Sequence, residues 1–143
     1  MSDQRDAMLD AALTHVPFDG WTEATFTAAA SDMGLSPPEA RALFPRGAVD
    51  LAVAFHRRGD RALATKLAET DLAGMRFREK VTWAVKARLD AVETHKEAVR
   101  RGATLFALPI YAADGARLVW ETADTIWSGL GDTSEDLNWY TKR

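Results

Sequence analysis

Three histidines, His15, His56 and His95, are the only imidazoles in the chain, and they are far apart in sequence. None belongs to a Glu-x-x-His pair of the kind that builds a di-iron bundle, nor to a His-Glu-x-x-His zinc motif. No Gly-x-Gly-x-x-Gly, P-loop or Gly-x-Ser-x-Gly elbow occurs. With no cysteine there is no thiolate ligand, nucleophile or disulfide. The sequence therefore reads as a binder and not an enzyme: no catalytic residue, metal ligand or cofactor is assigned.

The chemistry that does stand out is recognition, and it lies in the last twelve residues. Trp139 and Tyr140 are adjacent in a stretch that begins like a helix at Ser134-Glu135-Asp136-Leu137. Adjacent helical residues point about 100° apart, so both rings are hard to bury in one core. Asp136, Tyr140 and Arg143 fall on one side at helical spacing. Exposed aromatics with Asp and Arg have the composition of a protein-binding hot spot. An equally plain reading places one ring in the core and the other along the surface.

Elements must position these groups, and composition says what kind. At 143 residues the chain suits one domain that can bury a core unaided. Hydrophobic residues at 47% and charged residues at 27% exclude a disordered chain. Abundant alanine and scarce β-branched runs favour helix. The pattern predicts helices over about 3–14, 23–33, 37–44, 48–69, 75–94, 96–108 and 116–128, roughly seven in an all-α fold. Pro17-Phe18-Asp19-Gly20 breaks the first, and Met8, Leu9, Ala12, Leu13 and Val16 form its apolar face. Thr22 is an N-cap and Gly34 a C′ glycine. Ser36, Pro37 and Glu39 spell a capping box. Val49, Ala52, Val53, Phe55, Ala62 and Leu63 are the apolar positions of the long helix, with Gly59 as its weak point. Phe77, Val81, Ala84, Val85, Leu89 and Val92 form the next stripe. Asp114-Gly115 reads as a turn before the 116–128 helix.

Residues 7–58 resemble the N-terminal three-helix unit of TetR-type regulators, with helix-turn-helix geometry around Gly34. This gives two portions, 1–58 as a helix-turn-helix-like unit and 59–143 as a ligand- and partner-binding portion of the same domain. Duplex DNA is a poor fit to the chemistry. The helix that would read the groove offers Arg41 alone, offset by Glu39, and residues 1–60 carry nine acidic against five basic residues. Where TetR-type chains carry an aromatic and a Lys around the position of Phe44, this one has Arg41 and Gly47. A regulator binding DNA and a small apolar effector stands as the alternative reading; the main one expects no nucleic acid.

The C-terminal segment resembles the signature of the Coq-nine family of ubiquinone-biosynthesis accessory proteins. Asp124 and Trp127, then Gly131, Asp132, Ser134, Asp136, Asn138, Trp139, Tyr140, Thr141 and Arg143, occupy every fixed position of that pattern. Ala12 to Val16, Gly20-Trp21-Thr22 and Gly34-Leu35-Ser36 match as well. The resemblance implies a TetR-like fold that no longer binds DNA and holds a lipid, an isoprenoid quinone or a phospholipid. It implies a homodimer that supports the di-iron demethoxyubiquinone hydroxylase. The partner patch would comprise Asp132, Asp136, Trp139, Tyr140 and Arg143.

A polyprenyl quinone needs a long apolar cavity with polar or aromatic contacts at its mouth. Trp83, Leu89, Val92, Leu105, Phe106, Leu108, Ile110, Tyr111, Leu118, Val119 and Trp120 are the candidate lining, with Pro109 making room; the plain alternative is ordinary bundle core. Family chains continue past the motif with further helices, one of them implicated in membrane contact. Relative to them this chain is truncated at Arg143, which should expose apolar surface and favour self-association. The first residues have no apolar signal region, so the expected location is cytoplasmic, at the periphery of the inner membrane in a bacterium, or the mitochondrial matrix in a eukaryote.

Overall fold

In the computed structural model, residues 2–131 are described, and among them the secondary structure is entirely helical. The α-helices are α1 (Ser2–Leu13), α2 (Val16–Asp19), α3 (Glu23–Asp32), α4 (Pro37–Leu43), α5 (Ala48–Glu69), α6 (Phe77–Asp90), α7 (Lys96–Phe106) and α8 (Ala112–Gly131). Single 3-10 turns at Glu93–His95 and Pro109–Tyr111 precede α7 and α8. The all-α reading is borne out, and the described part alone holds eight α-helices where about seven were expected for the whole chain.

Local signals explain the boundaries. Thr22 Oγ1 accepts from the Thr25 N–H at the start of α3. Gly34 closes α3 with φ +68°, a left-handed value that glycine adopts without steric cost. The Ser36–Glu39 capping box forms in both directions at α4. Its Glu39 carboxylate accepts from the Ser36 N–H, and that bond, with the Ser36 hydroxyl, holds its pKa below the usual carboxylate value.

Three boundaries differ from expectation. Pro17-Phe18-Asp19 is not simply a break, because proline is tolerated in a first helical turn, and α2 forms there before Gly20 ends it. Asp114-Gly115 lies inside α8, which starts directly after the Pro109 turn; the Asp114 carboxylate then sits in a first turn, where the helix dipole favours it. Gly115 serves packing instead of turning, since a Cβ there would lie 2.9 Å from Phe106 Cβ. Finally α6 ends at Asp90, short of Thr94.

The chain divides into two compact units, and the division falls inside α5 and inside α8. The first comprises the chain up to His56 and residues 95–115. Met8, Leu9, Ala12, Leu13 and Val16 are buried there as their spacing predicts, with Phe26, Phe44, Leu51 and Phe55. Trp21 stacks obliquely on Phe55 at 5.7 Å and donates its indole N–H to the Ala98 carbonyl at 3.0 Å. That bond fastens α7 to the N-terminal helices. Arg101 adds a second tie by donating to the Pro17 carbonyl. Arg46 bridges Asp50 and Asp114, and the Asp50 bond is the main reason its guanidinium pKa is raised.

Among the described residues the second unit holds 57–94 and 116–131. Leu63, Leu67, Leu72, Ala84 and Leu130 form its buried cluster. Beside it lies a polar set. Asp60 Oδ1 accepts from Arg88 Nε at 2.9 Å and from the Thr122 hydroxyl at 2.7 Å, joining α5, α6 and α8. The Asp60 and Arg88 side chains are only 9% and 12% exposed. Gly59 makes the approach feasible, because a Cβ there would stand 2.6 Å from the Arg88 guanidinium. On the exterior, Arg57 forms two parallel bonds to Glu121 at 3.0 Å.

The buried face of α6 follows the expected stripe only in part. Of the expected positions Ala84 and Val92 are buried and Val81 packs partly buried against the leucine cluster, whereas Phe77, Val85 and Leu89 are exposed and Lys80, one turn before Ala84, is buried. The long stem of Lys80 can cover apolar surface in their place. In α5, likewise, Ala62 faces outward and Leu67 is buried.

Replacing Arg88 takes away the guanidinium that donates to the buried Asp60 carboxylate. Arg88→Met should therefore lower unfolding stability by about 3 kcal/mol in urea titrations. Arg100→Met, at an exposed pair with Glu97, should leave the urea midpoint nearly unchanged.

Candidate functional site

The expected lipid-lining residues fall in both units, and each unit shows them in a graded exposure. In the second unit Leu118 and Val92 are buried. Trp83 packs partly buried against the leucine cluster. Leu89, Val119 and Trp120 are exposed, Trp120 to 74%. In the first unit Leu105, Phe106 and Tyr111 are half-buried along α7 and the turn after it, while Leu108 and Ile110 are exposed.

α8 thus carries two kinds of apolar side chain. Leu118 and Leu130 face the interior, and Val119 and Trp120 do not. Val85 and Leu89 on α6 are further uncovered apolar groups of the second unit. Single exposed apolar residues are ordinary on any protein, but several large ones on α6 and α8 suit an apolar ligand or partner.

Trp127, near the end of α8, was singled out in the sequence as part of a motif and not as lining. Its ring meets Phe77 edge-on, with centroids 5.5 Å apart and planes at 85°. Its Nε1 is shielded from solvent and finds no hydrogen-bond acceptor among the described residues. A buried donor left in that state costs about 1–3 kcal/mol, so it is a notable group in a folded helix. Sequence spacing gives no signal for this: Trp21 has the same chemistry and is satisfied by Ala98.

His95, the imidazole closest in sequence to the expected lining, packs edge-on against Phe55 at 5.8 Å. His15 is bonded to Asp32 at 2.7 Å, across the first unit from α3. Among the described residues no group of three or more His, Asp or Glu side chains is placed to hold a metal ion. The expected partner patch, Asp132, Asp136, Trp139, Tyr140 and Arg143, lies outside the described residues.

The likeness read from the C-terminal motif is borne out by comparison with known proteins. Residues 112–143 match the COQ9 family model. Three relatives carry ubiquinone biosynthesis and COQ9 in their names, each with the word mitochondrial. The protein from Drosophila melanogaster is 32% identical over 97% of this chain and 44% of its own length. That from Dictyostelium discoideum is 29% identical over 95% of this chain and 46% of its own. The Homo sapiens protein is 30% identical over 95% and 45%. The chain thus spans less than half the length of these curated relatives.

The surface of α3 and α4 bears on the alternative reading. Arg41, the one basic residue of α4, pairs with Glu23 and lies over the Phe26 ring at 4.6 Å. Its charge is neutralised locally and its planar face is occupied. Exposed Glu23, Asp32 and Glu39 surround it in sequence with negative charge. A labelled duplex titrated at low salt should show no saturable anisotropy change; saturable binding that weakens steeply with added salt would favour the regulator.

Proposed function

We propose, from the premise that this chain is similar to COQ9 proteins along nearly its whole length, that it is a lipid-binding accessory protein of ubiquinone biosynthesis. In this reading it takes up an isoprenoid quinone intermediate and presents it to the di-iron demethoxyubiquinone hydroxylase. The observation that carries the reading is the C-terminal match over residues 112–143, which includes the Asp-x-x-Trp and the Asn-Trp-Tyr-Thr segment. The apolar side chains of α6 and α8 support it, since a prenyl chain is bound by apolar contact and not by charge.

Two roles divide along the chain. Apolar groups of the helical part, with Leu118 and Trp83 at their inner end, give the ligand its hydrophobic contacts. Asp132, Asp136, Trp139, Tyr140 and Arg143 give the partner contact, where aromatic anchors and an Arg supply most of the binding energy of such interfaces. No described helix is long and apolar enough to cross a membrane. Exposed Val119 and Trp120 also favour pairing with a second copy, and the proposed working form is a homodimer.

Organic extraction of the purified protein followed by mass spectrometry should recover an isoprenoid quinone or a phospholipid. Recovery of neither, from this chain and from a longer form of the protein, would remove the lipid role. Trp139→Ala should weaken capture of the hydroxylase by about tenfold or more in a quantitative pull-down, and unchanged capture would displace the partner patch.

A further inference from the structure

The unsatisfied indole of Trp127 is the feature that the apolar reading leaves unexplained. A prenyl chain has no use for a hydrogen-bond donor, and the ring packed edge-on against Trp127 is that of Phe77. The edge of Phe77 offers no oxygen. Trp21 shows how the chain treats an indole that serves packing alone: its Nε1 is given the Ala98 carbonyl at 3.0 Å. Trp127 Nε1 is equally shielded and has no such acceptor among the described residues.

An uncharged donor shielded from water selects an uncharged acceptor oxygen carried on an apolar body. A quinone carbonyl meets that description, and so does the ester carbonyl of a phospholipid. We propose that Trp127 Nε1 donates a hydrogen bond to a carbonyl oxygen at the head of the bound lipid, fixing how that ligand is oriented in the second unit. The proposal rests on the lipid-binding reading above and adds the group that recognises the polar end.

Trp127→Phe keeps an aromatic ring beside Phe77 and removes only the donor and the second ring. Calorimetric titrations of wild type and variant would use three probes: a short-chain ubiquinone, a short-chain phosphatidylcholine below its micelle concentration, and squalene, which has no oxygen. The variant should bind the carbonyl-bearing probe about tenfold more weakly while its affinity for squalene is unchanged. Loss confined to the ubiquinone assigns a quinone head, and loss confined to phosphatidylcholine assigns an ester.

Should the variant fail to fold, indole N–H spectra of the wild type give the same information. The Trp127 indole resonance should move downfield when the carbonyl probe is added and show no such shift with squalene. Equal affinities in the two proteins, or an unmoved Trp127 resonance with probe bound, overturn the head-group contact and leave lipid binding intact. Failure of wild type to bind any of the three probes overturns both.

Discussion

A carboxylate, a guanidinium and a hydroxyl meet out of water in the second unit, and three helices depend on that meeting. Asp60, Arg88 and Thr122 come from α5, α6 and α8. Charges removed from water cost several kcal/mol each, and only good geometry with further hydrogen bonds recovers that cost. Apolar side chains can slide past one another with little penalty, whereas these bonds admit one arrangement. The leucine cluster supplies the cohesion of the unit, and the polar set fixes the register in which α6 and α8 lie along α5.

That register decides which side chains of α6 and α8 are left for other work. With Lys80 and Ala84 turned inward, Val85 and Leu89 are turned out. With Thr122 held to Asp60 and Glu121 to Arg57, the preceding residues Val119 and Trp120 remain uncovered. The exposed apolar groups are therefore a consequence of where the polar bonds sit, and they are presented by rigid helices instead of loops. Binding groups mounted this way lose little conformational freedom when a ligand arrives.

Much of this was legible in the sequence, though unevenly. The first unit followed from periodicity and capping: the face of α1, the Thr22 cap, the Gly34 stop and the Ser36–Glu39 box all stand as their residue types imply. These are local effects, set by neighbours three or four residues away. The stripe of α6 was legible at Val81 and Ala84 but not at Lys80, because hydropathy gives a lysine to solvent while its stem can pack against apolar surface. The links of Trp21 to Ala98, Asp60 to Arg88 and Phe77 to Trp127 span 77, 28 and 50 positions, and no spacing rule reaches so far. The family likeness was legible from the C-terminal motif because eleven fixed positions within twenty residues leave little room for coincidence. The expected lining was harder to place, since apolar residues of a helical bundle carry no mark that separates core from pocket.

Gly59 shows how such a distant link alters the value of a residue. By helix propensity it is the poorest position in α5, about 1 kcal/mol worse than alanine. Replacing helical glycines by alanine is a standard route to a more heat-resistant protein. Here the missing methyl is the opening through which the Arg88 guanidinium reaches Asp60. A stabilisation campaign guided by propensity would choose this site first and set a methyl against the Arg88 guanidinium. The glycine is best regarded as the socket of a side chain that enters the sequence 29 positions later.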